Sequence, residues 1–217
     1  GSFVTLEDDV LKSPLYTATL VALFASSAII ISITFRRIIM LYHVSKTAGL
    51  KILQPHVSTH KKPYVYAIEN MVTGLLFGAK KDDFDFIITT NESGTPTIYE
   101  CYPGALEKKY HGKDCSVYEL SEEGFLRGMT SWNPELVCEH EVEVVNEIVV
   151  PDLYERLLEE EQVGNLVIKR YQFDNNYREL ISKHVVDRLI RFQLNLHKCC
   201  EQDERFATYY KDIIEAL

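Results

Sequence analysis

The chain has 217 residues and a formal net charge of −9 at pH 7, with 46% hydrophobic and 11% aromatic residues. This composition is typical of a folded protein and excludes an intrinsically disordered chain, and the length suffices for one ordinary domain plus an anchor. The excess of acidic residues argues against nucleic-acid binding, which needs clustered lysine and arginine.

An uncharged stretch without proline or glycine, residues 15–35, dominates the N-terminal part of the chain. As a helix it would extend about 31 Å, close to the hydrocarbon thickness of a bilayer. Pro14 precedes the stretch, and Arg36 and Arg37 follow it directly. This pattern predicts a polar tail over residues 1–14 and a transmembrane helix over residues 15–37.

The same stretch is also compatible with a core helix, or a pair of core strands, in a soluble protein. Residues 29–31 are three β-branched isoleucines, which suit a strand. Soluble strands are short, however, and an uncharged run of this length is rare in soluble chains. The flanking charges therefore favour the membrane, and a soluble binding module with residues 15–35 as a core helix is the alternative.

Small side chains recur on one face of the predicted helix, at spacings of three and four residues. In a bilayer, a face of this kind lets another helix approach closely. The predicted helix-packing face consists of Ala18, Ala22, Ala25, Ala28 and Ser32.

Residues 36–62 contain lysine and arginine but no acid. By the positive-inside rule, this places the C-terminal domain on the cytosolic or matrix side, of either the mitochondrial inner membrane or the endoplasmic reticulum membrane. Four of these cations are predicted to contact anionic lipid headgroups, namely Arg36, Arg37, Lys46 and Lys51.

The apolar and basic pattern continues past the membrane stretch and predicts a basic juxtamembrane helix and linker over residues 38–62. Residues 63–217 are acidic and carry strand and helix patterns in mixed order, without a repeating βα unit. The predicted fold class is α+β, with a single N-terminal transmembrane helix followed by a mixed sheet-and-helix soluble domain.

Within the acidic domain, the clearest local pattern is a β-hairpin. Residues 84–90 and 95–102 are rich in β-formers, and four turn residues ending in Gly94 separate them. Because proline cannot donate to a ladder, Pro96 predicts an edge strand or a strand that begins after it. Residues 72–77 are predicted as a further strand.

Motifs for nucleotide or catalytic chemistry are missing from the sequence. It contains no GxGxxG, GxxxxGK[ST], HExxH, GxSxG or CxxC, which argues against a P-loop and a standard dinucleotide fold. An odd number of irregularly spaced cysteines fits a reducing compartment rather than a disulfide framework: Cys101, Cys115, Cys138, Cys199 and Cys200.

Two clusters contain potential zinc ligands, Cys138 with His140 and His197 with Cys199 and Cys200. The paired spacings typical of structural zinc are absent, so no metal site is predicted. Other polar residues are interpreted as solvated linker, strand-face or helix-end groups: His43, His56, His60, Glu139, Glu141, Glu143, Glu159, Glu160 and Glu161. Trp132 fits either an interaction surface or the core.

These observations favour a non-enzymatic membrane-anchored protein, acting as an accessory subunit, assembly factor or adaptor. The expected partners are other membrane-protein subunits and anionic lipid headgroups, with no nucleic acid and no cofactor. A membrane-tethered enzyme or small-ligand domain is a further alternative, which a deep pocket with convergent polar groups would favour. The sequence itself points to no catalytic or cofactor-binding residue.

Overall fold

The computed structural model describes residues 39–57, 62–130 and 132–216, apart from the side chains of residues 196 and 197. Residues 40–217 form one compact unit of strands and helices. The strands in the described residues are β1 (Met40–Ser45), β2 (Ile52–Leu53), β3 (His56–Val57), β4 (Pro63–Ile68), β5 (Phe86–Thr90), β6 (Pro96–Glu100), β7 (Cys115–Ser121), β8 (Leu126–Arg127), β9 (Glu135–Cys138), β10 (Val142–Glu143), β11 (Asn146–Val150) and β12 (Val167–Lys169).

The helices of the described residues are short except for two, and side-chain caps define several of their first turns. Asn70 accepts the N–H of Thr73 at 2.8 Å, and Asp152 accepts the N–H of Tyr154 at 2.8 Å. The helices are α1 (Met71–Leu75), α2 (Ala105–Tyr110), α3 (Leu153–Gln162), α4 (Asn175–Arg191), α5 (Leu196–Gln202), α6 (Glu204–Thr208) and α7 (Lys211–Glu215).

Three sheets organise the unit. The largest has the strand order β11-β7-β1-β4-β9-β8, with β3 added to β4, and all its pairs are antiparallel. A second sheet has the order β12-β6-β5, and a third pairs β10 with β2. Strand β1 therefore lies in the middle of the largest sheet, with β7 on one side and β4 on the other.

Apolar side chains form two separate clusters of buried residues. The larger one joins α1, α2, α3 and α4 to strand residues that include Val117 and Ile98. The smaller one contains alternate residues of the central strands together with Leu53 and Val142 from the β10-β2 pair. Because alternate residues of a strand point to opposite faces, the largest sheet carries buried residues on both faces.

The ladder between β1 and β4 contains a single registered pair, Tyr42 with Ile68. On its other edge, β1 pairs with β7 at every residue from Met40 to Ser45. Beyond Tyr42, β1 and β4 part, so the edge of β1 that follows faces an opening rather than a neighbouring strand. This split in the middle of the sheet forms a cleft, which is the candidate site.

The predicted membrane architecture needs correction. No helix in the described part of the chain is both long enough and apolar enough to cross a bilayer. On this finding, the fold class with a single transmembrane helix, and the membrane localisation inferred from it, are wrong. Residues 15–37, on which the prediction was based, lie outside the described residues.

Several local predictions are also wrong. The stretch predicted as a juxtamembrane helix contains strand β1, and residues 72–77 overlap helix α1 instead of a strand. Buried strands that are covered on both faces form continuous apolar runs, which periodicity cannot distinguish from a helix. Pro96 is paired with Thr90 at the start of β6, the middle strand of its sheet.

The predicted hairpin is confirmed. Strands β5 and β6 pair from Phe86 opposite Glu100 to Thr90 opposite Pro96. The side chain of Asn91 closes the turn, because its Oδ1 accepts the N–H of Ser93 at 3.1 Å and that of Thr95 at 2.8 Å.

Candidate active site

The opening between β1 and β4 is a cleft of about 200 Å³. We call it the aromatic cleft and define it by His43, Tyr66, Phe77, Trp132 and Glu135, which line it. It is too small for a whole dinucleotide, since pockets for drug-sized ligands have volumes of roughly 300–1,000 Å³. Its size suits one planar ring.

His43 bridges the split. Its Nδ1 lies 2.7 Å from the backbone oxygen of Tyr66. A carbonyl oxygen can only accept, so Nδ1 carries the proton and donates. Burial lowers the pKa of His43 below its ordinary value, and the neighbouring His56 acts in the same direction, while the bond to Tyr66 opposes both. The neutral ring therefore keeps Nε2 as a hydrogen-bond acceptor.

Aromatic side chains form the walls of the cleft. The rings of Phe77 and Trp132 are 5.1 Å apart and tilted, and the ring of His56 meets Tyr66 edge-on at 5.9 Å. The sheet supplies His56 and Tyr66, and the segment after α1 supplies Phe77. Such walls bind flat apolar groups and, through their negative π faces, cations.

Glu135 is the acidic group of the cleft. It begins β9 opposite Ile68, which is itself opposite Tyr42, so three strands place these residues in one row across the sheet. The side chain is half-buried at the end of the split. A carboxylate in a partly desolvated aromatic cleft can stabilise positive charge on a bound group.

A second and larger chamber of about 420 Å³ adjoins the cleft and shares Phe77, Trp132 and Glu135 with it. We call it the lysine chamber, after Lys81; His184 and Arg188 of α4 also line it. The ring of His184 donates from Nε2 to the backbone oxygen of Asp83 at 2.7 Å, and burial lowers its pKa.

The loop that carries Lys81 is held by a buried ionic cluster. Asp85 is completely buried, and its Oδ1 lies 2.6 Å from Arg205 Nη1 and 3.0 Å from Lys109 Nζ. Arg205 also binds Asp82 through two bonds of 2.6 and 2.7 Å. The C-terminal segment therefore holds the wall of the lysine chamber through Arg205 and through Tyr210, whose hydroxyl donates to the backbone oxygen of Phe84 at 2.6 Å.

The predicted interaction residues fall largely outside this site. The helix-packing face and the first two headgroup cations lie outside the described residues. Lys46 and Lys51 are exposed in the loop between β1 and β2. The structure brings neither of them to the aromatic cleft, and lipid contact stays a prediction.

The potential zinc ligands whose side chains the structure describes do not converge, and the side chain of His197 lies outside the described part. Cys138 is buried in β9, His140 is exposed beyond its end, and Cys199 and Cys200 are half-buried in α5. Within the described ranges, no three histidine, cysteine or acidic side chains are placed to hold a metal ion.

The acidic clusters differ from each other. Glu139, Glu141 and Glu143 are exposed, in line with a solvated strand. Glu160, by contrast, is buried and accepts from Arg156 at 2.6 Å and from Asn165 at 2.8 Å, so its interpretation as a solvated helix end is wrong.

Sequence reasoning missed the principal cleft residues. His43 was interpreted as a solvated linker group, and Tyr66, Phe77 and Glu135 were given no chemical role. Their separation along the chain leaves no motif. One signal was present in the sequence: His43 is a polar residue within an apolar run. In a buried strand such a residue is unusual and indicates a functional role, but the run was interpreted as part of a helix.

Comparison with known proteins gives no family assignment: no family model matches the chain, and neither a curated protein nor a solved structure matches it.

Proposed function

We propose that the aromatic cleft binds the nicotinamide ring of a pyridinium nucleotide such as NAD⁺, and that the protein cleaves the bond between that ring and its ribose. The observation that carries the proposal is the split between β1 and β4, which brings aromatic walls, an open strand edge, a neutral histidine and a carboxylate to one cleft.

The walls fit the ring. Nicotinamide in a nucleotide is flat, aromatic and positively charged, and Tyr66, Phe77 and Trp132 provide π faces for stacking and for cation–π attraction. Phe77 is 49% exposed, and because Lys81 Nζ lies over one face of its ring, the opposite face is the one that a ligand would use. The volume of about 200 Å³ leaves the remainder of the nucleotide outside the aromatic cleft.

The strand edge fits the carboxamide. An amide carries the same donor and acceptor as a peptide group, and it can pair with an open strand edge as an added strand would. In this protein the edge is that of β1 after Tyr42, where β4 has moved away. Recognition by backbone groups needs no side-chain motif.

His43 and Glu135 fit the ribose. The Nε2 acceptor of neutral His43 can receive a ribose hydroxyl. The Glu135 carboxylate can stabilise the positive charge that develops on the sugar as its bond to nitrogen breaks. Both residues line the same cleft, Glu135 from the face of the sheet that it shares with Tyr42 and Ile68 and His43 from the opposite face, so a sugar that contacts both would lie within the split.

The reaction balances without a redox partner. The C1′–N bond breaks and its electron pair stays on the ring nitrogen, which releases neutral nicotinamide. The oxygen of water, or of another nucleophile, forms the new bond to C1′ and gives up its proton to Glu135 or solvent. Because the leaving group is already neutral after cleavage, no general acid is needed.

The test is nicotinamide release and NAD⁺ binding by the full chain. Phe77→Ala should weaken NAD⁺ binding by about tenfold or more, since aromatic stacking contributes roughly 1–3 kcal/mol per ring. Phe173→Ala is the matched control, because Phe173 is 85% exposed and is not among the residues that line the cleft. Absence of saturable NAD⁺ binding by the unchanged protein would refute the proposal.

The rate of nicotinamide release should also depend on the protonation of His43. Because burial holds its pKa below 6.5, the rate should stay level from about pH 8 to about pH 6.5. At lower pH the rate should decline as protonation removes the Nε2 acceptor. His56 and Glu135 line the same cleft as His43, and the ring of Tyr118 lies 6.4 Å from the ring of His43.

The control for this profile is His140→Gln, at an exposed histidine, which should keep the decline at low pH. His43→Gln should be slower at every pH and should lose the decline that protonation of His43 causes. An unchanged acid limb in His43→Gln would show that another group controls the profile.

The adaptor or accessory-subunit role expected from the sequence stays a prediction. The small-ligand alternative is the one that the cleft supports.

A further inference from the structure

Lys81 is a half-buried cation that forms no ion pair within the part of the chain that the structure describes. Its Nζ lies 4.2 Å from the centre of the Phe77 ring, and it lines the lysine chamber. Burial lowers its pKa despite the nearby Asp83, Asp85 and Asp82. An ammonium group in this position would be stabilised by an anion that enters the chamber.

Two of the acids near Lys81, Asp82 and Asp83, also line the lysine chamber, and both are paired with arginine. Asp83 Oδ2 lies 2.8 Å from Arg188 Nε, and both oxygens of Asp82 are bound by Arg205. Arg188 approaches Asp83 through Nε, and among the described residues its terminal nitrogens have no hydrogen-bond partner. Arginine therefore offers a second set of donors to the same chamber, in the planar geometry that suits phosphate oxygens.

The position of the chamber relates it to the proposed reaction. Glu135 and Trp132 belong to both cavities, so a ribose held beside Glu135 would lie at their junction. The lysine chamber has about twice the volume of the aromatic cleft. Groups attached to that ribose, or a second substrate that attacks it, would enter this larger space.

We propose that the lysine chamber binds a phosphoryl group through Lys81 and the terminal N–H groups of Arg188. This inference relies on the proposed function only for the source of the phosphate, which is either the nucleotide itself or a second substrate. The site and its chemistry are the same in both cases.

The direct test is titration of the full chain with inorganic phosphate. Trp132 is the single tryptophan of the sequence and lines the chamber, so its fluorescence reports on occupancy. Lys81→Met should weaken phosphate binding by about tenfold or more, as expected for loss of a hydrogen bond between charged groups. The adjacent exposed Lys80 gives the matched control, Lys80→Met. Equal binding by the two variants, or a response that does not saturate, would overturn the inference.

Binding of two further ligands, nicotinamide riboside and nicotinamide mononucleotide, identifies the source of the phosphate. If the nucleotide supplies the phosphate, Lys81→Met should weaken binding of the mononucleotide about tenfold and leave the riboside unchanged. If a second substrate supplies it, both affinities should be unchanged, and phosphate should still bind to the protein saturated with mononucleotide.

The two proposals fail in different ways. If neither riboside nor mononucleotide binds while phosphate still distinguishes Lys81→Met from Lys80→Met, the proposed function is wrong and the phosphate site stands. If the mononucleotide binds and Lys81→Met behaves like Lys80→Met in every titration, the phosphate site is wrong and the proposed function stands.

Discussion

Replacing Glu135 with glutamine should slow nicotinamide release by about 10²- to 10³-fold, the loss that follows removal of one electrostatic contact to a transition state. The change keeps the size and most of the hydrogen-bonding capacity of the side chain but removes its charge. Positive charge on the ribose develops only as the C1′–N bond breaks. The effect should therefore appear mainly in kcat, with a smaller loss of affinity for NAD⁺, because the carboxylate also faces the positively charged ring of the bound substrate.

The matched control is Glu143→Gln. Glu143 is an exposed carboxylate in β10, so the same change of charge there is expected to leave both kcat and affinity unchanged. Comparison of the two variants separates the local role of Glu135 from the general effect of one less acid on an acidic protein. A kcat for Glu135→Gln close to that of Glu143→Gln would exclude Glu135 from the reaction.

Replacing Arg205 with methionine should lower the free energy of unfolding by about 3–5 kcal/mol, the typical cost of leaving a buried charge without its partner. Asp85 is completely buried, and without Arg205 its charge would keep the ion pair with Lys109 and the hydrogen bonds from the Tyr102 hydroxyl and the Asp82 N–H. Asp82 would lose both of its bonds to the guanidinium. In a chain of 217 residues, this should lower the midpoint of thermal unfolding by about 10 °C.

Arg170→Met is the control for this measurement. Arg170 forms two bonds of 2.6 Å with Glu161, but its side chain is 51% exposed. A surface pair of that kind contributes at most about 1 kcal/mol. Urea unfolding of the two variants should therefore differ by several kcal/mol, and similar losses in both would mean that the Asp85 cluster is not a main source of stability.

The local structure was predictable where a local signal determines it. The hairpin of β5 and β6 was found because turn residues separate two β-rich runs, and Asn91 closes that turn within five residues. Helix α3 has a local signal of the same kind, because Asp152 follows Pro151 and caps an amphipathic run. These elements depend on neighbours in sequence, which a single chain displays directly.

Strand β1 was not predictable in the same way. It is a central strand, and its apolar residues continue those of the preceding stretch, so the whole run resembled one long helix. Only its pairing with β7 and β4 makes it a strand, and both partners are distant in sequence. With β1 interpreted as a helix next to the membrane, His43 was assigned to a linker outside the folded domain and was not considered as a site residue.

The candidate site depends on register, which composition does not encode. Glu135 reaches the split because β9 pairs with β4 so that Glu135 lies opposite Ile68. A shift of one residue would turn this side chain to the other face of the sheet. The cleft also depends on a ladder that ends after one pair, and no spacing in the sequence reports that interruption.

The most direct test of the account is a crystal structure of the full chain soaked with nicotinamide. We expect the ring between the side chains of Tyr66 and Phe77, with its carboxamide paired to the open edge of β1 after Tyr42. A nicotinamide ring bound elsewhere, or a well-ordered cleft that stays empty at saturating nicotinamide, would contradict the assignment of the split between β1 and β4 as the site of function.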